Sequence, residues 1–311
     1  MFDIDLVYLW VDGSDPKWQK KKQRVTGKLY DTSEVNNAGR YISNDELKYS
    51  LRSVEKNAPW IHKIYIITDN QCPNWLNTEH TLIQIIDHKE IIPEEVLPTF
   101  NSSVIEYFIH KVPNLKEHFL IGNDDTFFNK ELEPSYFFKN DGLPIVRFKK
   151  KFFGRYHYTI KKFIRGYLGQ YISMVVTGAK LVEEKFGVFY SGIPHHNIDA
   201  YKKSDYKYAA EHVFYEQVDK SKNSRLRVEG DLHRSAFSYY ALAAGKAHLK
   251  YVSRRESSRI NVSSKNFIGY INKYQPDLFC LNDSQRTKDI DRMRIKPFLK
   301  FLFPKKSSFE L

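Results

Sequence analysis

The sequence predicts an α/β protein with a mostly parallel central sheet flanked by helices. Three observations carry this expectation. Apolar runs of strand length occur at 4–11, 63–68, 82–86 and 118–122. Apolar residues recur at helical spacing between those runs, and polar, turn-forming residues follow them. The chain has 311 residues, of which 41% are apolar and 15% aromatic. That fills a sizeable core and excludes wholesale disorder, a collagen-like fibre and a small stapled scaffold. The two cysteines, Cys72 and Cys280, form no disulfide framework and point to a reducing compartment.

Taken in order, the run Ile4 to Val11 is a buried strand. It exits into Asp12-Gly13-Ser14-Asp15-Pro16, where Asp15 is placed to cap a helix whose first residue is Pro16. Basic residues run from Lys17 to Arg24, and 26–42 is a polar connection. Ser43-Asn44-Asp45-Glu46 has the form of a capping box, followed by Leu47, Leu51, Val54 and Ala58 on one helical face, with Lys48 and Arg52 on the other. Pro59 ends that helix. Lys63–Thr68 is the second strand, closed by Asp69-Asn70, and Leu82–Ile86 is the third. A helix is expected from Ser102 to Lys111, with Val104, Ile105, Phe108 and Ile109 on one face and Glu106 and His110 four apart on the other. His118–Gly122 is the fourth strand and ends at Asn123-Asp124-Asp125. A helix from Ala236 to Ala244 stops at Gly245. The tail from Arg292 is basic and amphipathic, with Ile295, Phe298, Leu299 and Leu302 at helical spacing. One domain is expected, in four parts: 1–146, 147–245, 246–291 and the tail 292–311.

The net formal charge is +12. A basic chain attracts phosphates, acidic polysaccharide, anionic membrane or nucleic acid. From Arg147 to Tyr171 basic and aromatic residues interleave, a composition that serves any of these partners or covers a core segment with a basic exterior. No apolar run approaches the ~20 residues needed to cross a bilayer. The N-terminus lacks the basic flank and apolar stretch of a signal peptide. The Asn-x-Ser triplets at Asn101, Asn261 and Asn282 therefore read as chance matches. There is no Walker loop, dinucleotide fingerprint or Gly-x-Ser-x-Gly elbow, and the cysteines lack zinc-ligand spacing.

In parallel sheets ligands bind beyond the carboxyl ends of the strands, where Asp12, Asp69, Asn70, Asp124 and Asp125 fall. Adjacent carboxylates in Asn123-Asp124-Asp125 suit Mg²⁺ or Mn²⁺ with diphosphate oxygens completing the shell; an acidic turn before Phe127 is the plainer alternative. Pro194-His195-His196 offers a base or a metal ligand, or else a surface loop. Arg52, Arg225 and Arg227 carry the forked donors that clamp phosphate, though each alone also suits solvent. Asn282-Asp283-Ser284 repeats the pattern of an apolar run followed by Asn-Asp.

Together these segments resemble the Stealth family of sugar-1-phosphate transferases, which includes bacterial capsule and exopolysaccharide phosphotransferases and the catalytic part of the animal enzyme that tags lysosomal hydrolases. The resemblance rests on four blocks: Asp5 to Pro16; Asp45–Glu55 with Ala58-Pro59-Trp60, Ile64–Thr68, Pro73–Leu76, Leu97–Ser102 and Asn123–Asp125; Pro194-His195 with Arg227, Asp231 and Phe237–Tyr240; and Phe279–Asp283. It implies a GT-A-like nucleotide-sugar transferase architecture with a helical insertion, in which 1–146 binds the nucleotide-sugar and 147–245 faces the acceptor. It implies a UDP-sugar donor, Mg²⁺ or Mn²⁺, and a glycan or lipid-linked oligosaccharide acceptor. GlcNAc-1-phosphate or another hexose-1-phosphate is transferred and UMP released. On this resemblance His195 is the base, Asp124, Asp125, Arg227 and Arg52 act at the phosphates, and Asp124, Asp125, Asp283 and Asn282 hold the metal. Trp10, Val11, Asp12, Gly13 and Asp15, with Asn70 and Asn123, cradle the nucleotide. Relatives often carry a histidine two residues before the Pro-His pair, where this chain has Gly192, so His195 or His196 takes that work. The expected location is cytoplasmic, peripheral at the inner face of the membrane and anchored by the basic tail, with no nucleic-acid partner. The competing expectations are a conventional glycosyltransferase that releases UDP and a non-catalytic polyanion-binding protein.

Overall fold

The computed structural model describes residues 2–30, 33, 36–284 and 286–311, so part of the polar connection 26–42 lies outside the described residues. In chain order the strands are β1 (Ile4–Leu9), β2 (Lys63–Thr68), β3 (Ile83–Asp87), β4 (His118–Asn123), β5 (Thr126–Phe128), β6 (Ile145–Lys149), β7 (Ile193–Pro194), β8 (Asp199–Lys202), β9 (His248–Tyr251), β10 (Ser257–Asn261) and β11 (Leu278–Asn282). The helices are α1 (Pro16–Thr26), α2 (Glu46–Asn57), α3 (His88–Ile91), α4 (Ser102–Tyr107), α5 (Tyr156–Arg165), α6 (Gln170–Phe186), α7 (Lys203–Tyr208), α8 (Tyr215–Ser221), α9 (Ser235–Ala243), α10 (Phe267–Tyr274), α11 (Asp289–Arg292) and α12 (Ile295–Leu302).

The central sheet runs β3-β2-β1-β4-β8, parallel from β3 to β4 and closed by the antiparallel β8. This is the expected mostly parallel α/β architecture. Side chains alternate along β1, so Ile4, Leu6 and Tyr8 pack against Leu47, Leu51 and Val54 of α2, while Val7 joins Tyr65, Phe119 and Ile121 on the other face. Burial on both faces explains why these strands read as continuous apolar runs. Two smaller sheets, β10-β11-β5 and β7-β6-β9, extend the fold toward the second half of the chain.

Local chemistry explains where elements begin. Asp15 caps α1 by accepting the Lys17 amide at 2.8 Å, with Pro16 at the first position, as expected. The capping box at Ser43–Glu46 does not form. Asp45 takes a left-handed conformation (φ 67°) without a side-chain cap, and the Glu46 carboxylate accepts from the Asn44 backbone and side chain instead. The expected helix 102–111 breaks into α4 and a 3-10 turn. Glu106 and His110 do not pair with each other: Glu106 accepts from Arg234 at 2.7 Å and His110 meets Glu211 at 3.1 Å.

The tail also departs from expectation. Ile295, Phe298 and Leu299 of α12 pack against Phe127, Ile260 and Phe279, so its apolar face is core rather than membrane anchor. Arg52 belongs to the same closure and lies outside the cleft. Its Nε and Nη2 donate to the two Glu310 carboxylate oxygens at 2.7 and 2.9 Å, and Nη1 donates to the Phe303 carbonyl at 2.9 Å. Burial pushes the Glu310 carboxyl up, but Arg52 and the Ser307 amide more than offset this and hold it at about 2. Arg52→Ala is expected to destabilise the fold by about 2–4 kcal/mol, because it leaves a buried carboxylate with only Lys48 (3.3 Å) as a charged partner. A folded pKa below the ordinary 4.5 stabilises above that pH and is lost as pH falls through 2. The stability gap between wild type and variant, measured by urea unfolding, is therefore full at neutral pH and shrinks below about pH 4.5.

Candidate active site

A cleft of about 1170 Å³ opens at the carboxyl ends of β1, β2 and β4. Strand order reverses between β1 and β4, the place where α/β sheets bind ligands. The exit of β1 contributes Trp10 and Val11, that of β2 Asp69, and that of β4 Asn123, Asp124 and Asp125. One wall is aromatic: Trp18 packs on Tyr41 and Phe100 with ring centroids 5.3 and 5.5 Å away. Arg40, Ser102, Asn123, His196 and Arg227 also border a second, polar chamber of about 610 Å³, which reaches to Tyr171, His233 and Arg234. The cleft thus has an aromatic end suited to a flat ring and a cationic end suited to phosphate oxygens.

Three carboxyls, Asp124, Asp125 and Glu46, border the cleft at the β4 exit. Asp124 is pushed well above the ordinary range by burial and then by Asp125 and Glu46. Burial raises Asp125 to about 6 against hydrogen bonding from the Cys280 thiol, and raises Glu46 to about 7. Asp125 Oδ1 is buried without a hydrogen-bond partner. The turn that presents the pair is pinned by the Leu281 amide on the Asp125 carbonyl (2.9 Å) and the Thr126 hydroxyl on the Asn123 carbonyl (2.6 Å). Crowded carboxylates that resist ionisation are relieved by a hard cation, and an orphaned buried oxygen is a ready ligand for one. Among the described residues, however, no three His, Cys, Asp or Glu side chains are grouped to cage a metal. Asp283 borders the cleft but is already paired with Arg292 (2.7 Å). Asn282 is buried at the end of β11 and does not line the cleft. Of the four expected ligands, Asp124, Asp125 and Asp283 therefore share the cleft, the last already engaged by Arg292, and Asn282 does not.

Across the cleft, the Arg227 guanidinium bonds the Ser102 hydroxyl. Its loop is held by Asp231, which accepts from the Asn101 side chain (2.7 Å) and the Val228 amide (3.0 Å). Arg234 spans Glu106, Asp199 and Asn123 at 2.7, 3.5 and 3.4 Å. Arg225 lies elsewhere and clamps the Val96 and Pro98 carbonyls.

The histidine pair divides by direction. His195 is buried, with Nδ1 bonded to the Ser257 hydroxyl at 2.8 Å and Nε2 to Asp199 at 3.0 Å. Both ring nitrogens are occupied and neither reaches the cleft, so the expected base is displaced. His196 takes a left-handed backbone (φ 61°) that turns its ring into both chambers. Burial, then Arg259, Arg40, Arg234 and His233, holds His196 well below the ordinary 6.5, so it is a neutral acceptor at pH 7. Position 192 cannot supply another imidazole in place: a Cβ there would lie 2.7 Å from the Phe148 Cβ.

Of the expected nucleotide cradle, Trp10, Val11 and Asn123 line the cleft, whereas Asp12, Gly13, Asp15 and Asn70 frame it from outside. Asp12 accepts from the Ser14 amide and hydroxyl, and Gln71 bridges Asp12 to Asp15. The Gly13 amide donates to the Tyr41 carbonyl at 2.9 Å, and a Cβ at Gly13 would fall 2.2 Å from that oxygen. Only glycine allows this approach, which sets Tyr41 in the aromatic wall. Asn70 (φ 53°) serves the turn after β2. Sequence reasoning missed Arg40, Glu46, Trp18, Tyr41 and Phe100. Glu46 was legible only as a capping residue, and Arg40 sat in the polar connection.

Comparison with known proteins matches this arrangement to a family. The model for Stealth protein conserved region 1 matches residues 2–30 and that for conserved region 2 matches residues 40–146. The capsular polysaccharide phosphotransferase fcs1 of Haemophilus influenzae is 34% identical over 303 residues, covering 92% of this chain and 79% of that one. Its counterpart cps12A of Actinobacillus pleuropneumoniae is 33% identical over 303 residues, covering 94% and 80%. The exopolysaccharide phosphotransferase cps2G of Lactiplantibacillus plantarum is 50% identical over 143 residues, a match that spans 46% of this chain and only 41% of that relative. Among solved structures, the galactosyltransferase LgtC in complex with donor and acceptor sugar analogues aligns at 10% identity and a TM-score of 0.46, covering 97% of this chain and 96% of that one. With the two conserved regions matched in order and the likeness to fcs1 and cps12A over more than nine-tenths of this chain and about four-fifths of each relative, the chain belongs to the Stealth family of capsular and exopolysaccharide phosphotransferases.

Proposed function

We propose that this cleft binds a UDP-sugar and transfers its sugar-1-phosphate to a glycan hydroxyl, forming a phosphodiester and releasing UMP in capsule or exopolysaccharide synthesis. The observation that carries this reading is the placement of Asp124 and Asp125 opposite Arg227 and His196, where an aromatic chamber joins a cationic one. Trp10, Trp18, Tyr41 and Phe100 receive the nucleoside. Arg227 and the Ser102 hydroxyl meet the phosphate oxygens, where phosphoryl transfer needs positioning and charge neutralisation more than covalent help. His196 Nδ1 or Nε2 takes the proton of the acceptor hydroxyl. The acceptor oxygen then bonds to the β-phosphorus, the bond from that phosphorus to the bridging oxygen breaks, and the bridging oxygen leaves on UMP. The sugar's C1–O bond stays intact. Asp124 and Asp125 are the residues to hold Mg²⁺ or Mn²⁺, which when bound supplies charge neutralisation at the diphosphate.

The acceptor side of this reading is a lipid-linked or otherwise membrane-proximal glycan, with the protein peripheral at the cytoplasmic face. No helix among the described residues is long and apolar enough to cross a membrane. The test is the first nucleotide released when the protein meets UDP-sugars, an oligosaccharide acceptor and Mg²⁺ or Mn²⁺. UMP, abolished by EDTA, is the expected product. UDP as the direct product contradicts the proposal and identifies ordinary glycosyl transfer.

A further inference from the structure

The basic-aromatic stretch between β6 and α6 is not absorbed by the core. From 142 to 182 the chain carries nine Lys and Arg residues and no carboxylate. Within it α5 touches the rest of the molecule chiefly through Tyr158, the one buried residue of that helix, whose hydroxyl donates to the Ser191 carbonyl at 2.8 Å. Tyr156, Ile160, Phe163, Ile164 and Tyr167 are all exposed, Phe163 at 90% and Ile164 at 74%. At roughly 100° per residue Tyr156, Ile160, Phe163 and Ile164 fall on one stripe of α5, about opposite Tyr158, with Lys161 and Lys162 on either flank, and Tyr167 follows just beyond the helix end. The preceding turn exposes Phe152 at 83% beside Phe153 and Lys150.

We propose that this face of α5, together with the Phe152-Phe153 turn, docks on an anionic lipid bilayer. An apolar stripe turned away from the protein and bordered by lysines has the form of a helix lying in a headgroup layer. Anionic lipid complements a surface that has no carboxylate of its own, whereas a second copy meeting it face to face would be repelled. The aliphatic tips of Ile160 and Ile164 find hydrocarbon in a bilayer, but no stacking partner in a nucleic acid and no hydrogen bond in a glycan. The tail helix α12 cannot serve in the same way, since its apolar face is already packed on Phe127 and Phe279. The docking face also adjoins the polar chamber. Tyr158 holds Ser191, three residues before Pro194 and five before His196, and Tyr171 of α6 lies 5.9 Å from the His196 ring, centroid to centroid. That this brings a lipid-linked acceptor to His196 rests on the phosphotransferase reading; the docking itself does not.

The test is co-sedimentation of the full chain with vesicles of phosphatidylcholine alone and of phosphatidylcholine with about 30% phosphatidylglycerol, without donor or acceptor. Binding to the anionic vesicles is expected, weakened near 1 M salt because screening shortens the reach of the lysines to about 3 Å. The pairs Phe163→Glu with Ile164→Glu and Lys161→Glu with Lys162→Glu each reduce vesicle affinity by about tenfold or more, whereas Phe301→Glu on α12 leaves it unchanged. Lys162, Phe163 and Ile164 are exposed and Lys161 is half-buried, so thermal melts close to wild type accompany the expected result. Three results would overturn the proposal: vesicle binding that both pairs retain, binding lost in Phe301→Glu instead, or poly(U) or heparin bound with the same dependence on Phe163 and Ile164 as the vesicles. Because no sugar nucleotide enters the assay, failure here leaves the proposed reaction standing.

Discussion

Asp124→Asn is expected to lose turnover by ~10³-fold or more while melting no lower than wild type. The two effects share a cause. Asp124 sits beside Asp125 and Glu46; burial raises all three carboxyls, and at Asp124 the two neighbouring carboxylates add to it, a cost to the fold when no cation lies among them. An amide of the same shape removes one charge from that group and with it the repulsion. The same substitution removes one of the two oxygens placed to hold a divalent ion on the donor diphosphate. Single-turnover rates across a Mn²⁺ titration, paired with thermal melts, measure both. A variant that keeps full activity removes the metal role, and one that melts far below wild type shows that Asp124 is structural.

The second large effect separates two neighbouring histidines. His196→Asn is expected to lower kcat by ~10²–10⁴-fold with little change in melting temperature. Asparagine is chosen because it tolerates the left-handed backbone of this position (φ 61°), where alanine adds strain. His195→Gln should do the reverse. Its ring is buried between Ser257 and Asp199, so the variant loses about 1–3 kcal/mol of stability through poorly satisfied partners. Turnover per folded molecule falls far less than in His196→Asn. If His195→Gln proves the more severe catalytic lesion at equal folded fraction, the assignment of the base to His196 fails.

The scaffold was legible because its signal is local. Strands buried on both faces must be apolar throughout, and the polar residues that end β1, β2 and β4 stand where the apolar run stops. Asp69, Asp124 and Asp125 were found this way and line the cleft, as do Trp10, Val11, Asn123 and Arg227, whose site roles came from the family resemblance. What escaped depends on contacts between distant residues. Lys48 and Arg52 occupy the polar face of α2, and nothing nearby indicates that the partner of both is Glu310, 258 residues beyond Arg52. In His195-His196, which side chain enters the cleft depends on the left-handed turn that the chain takes at His196 just after β7. The amphipathic tail and the stripe on α5 share a pattern at the level of sequence. Packing on Phe127 and Phe279 buries one, while none of the described residues covers the other. Asp12, Gly13 and Asp15 belong to the turn that supports the cleft, because their side chains or backbone are spent on Ser14, Gln71 and Tyr41.

The bond broken in the donor tests the central claim most directly. A UDP-sugar carrying ¹⁸O between C1 and the β-phosphorus, turned over with an oligosaccharide acceptor, is analysed by ³¹P NMR and mass spectrometry of both products. Attack at phosphorus keeps the label in the glycan, within a new phosphodiester, and leaves unlabelled UMP. Label recovered in UDP, with a glycan free of phosphorus, would contradict the account.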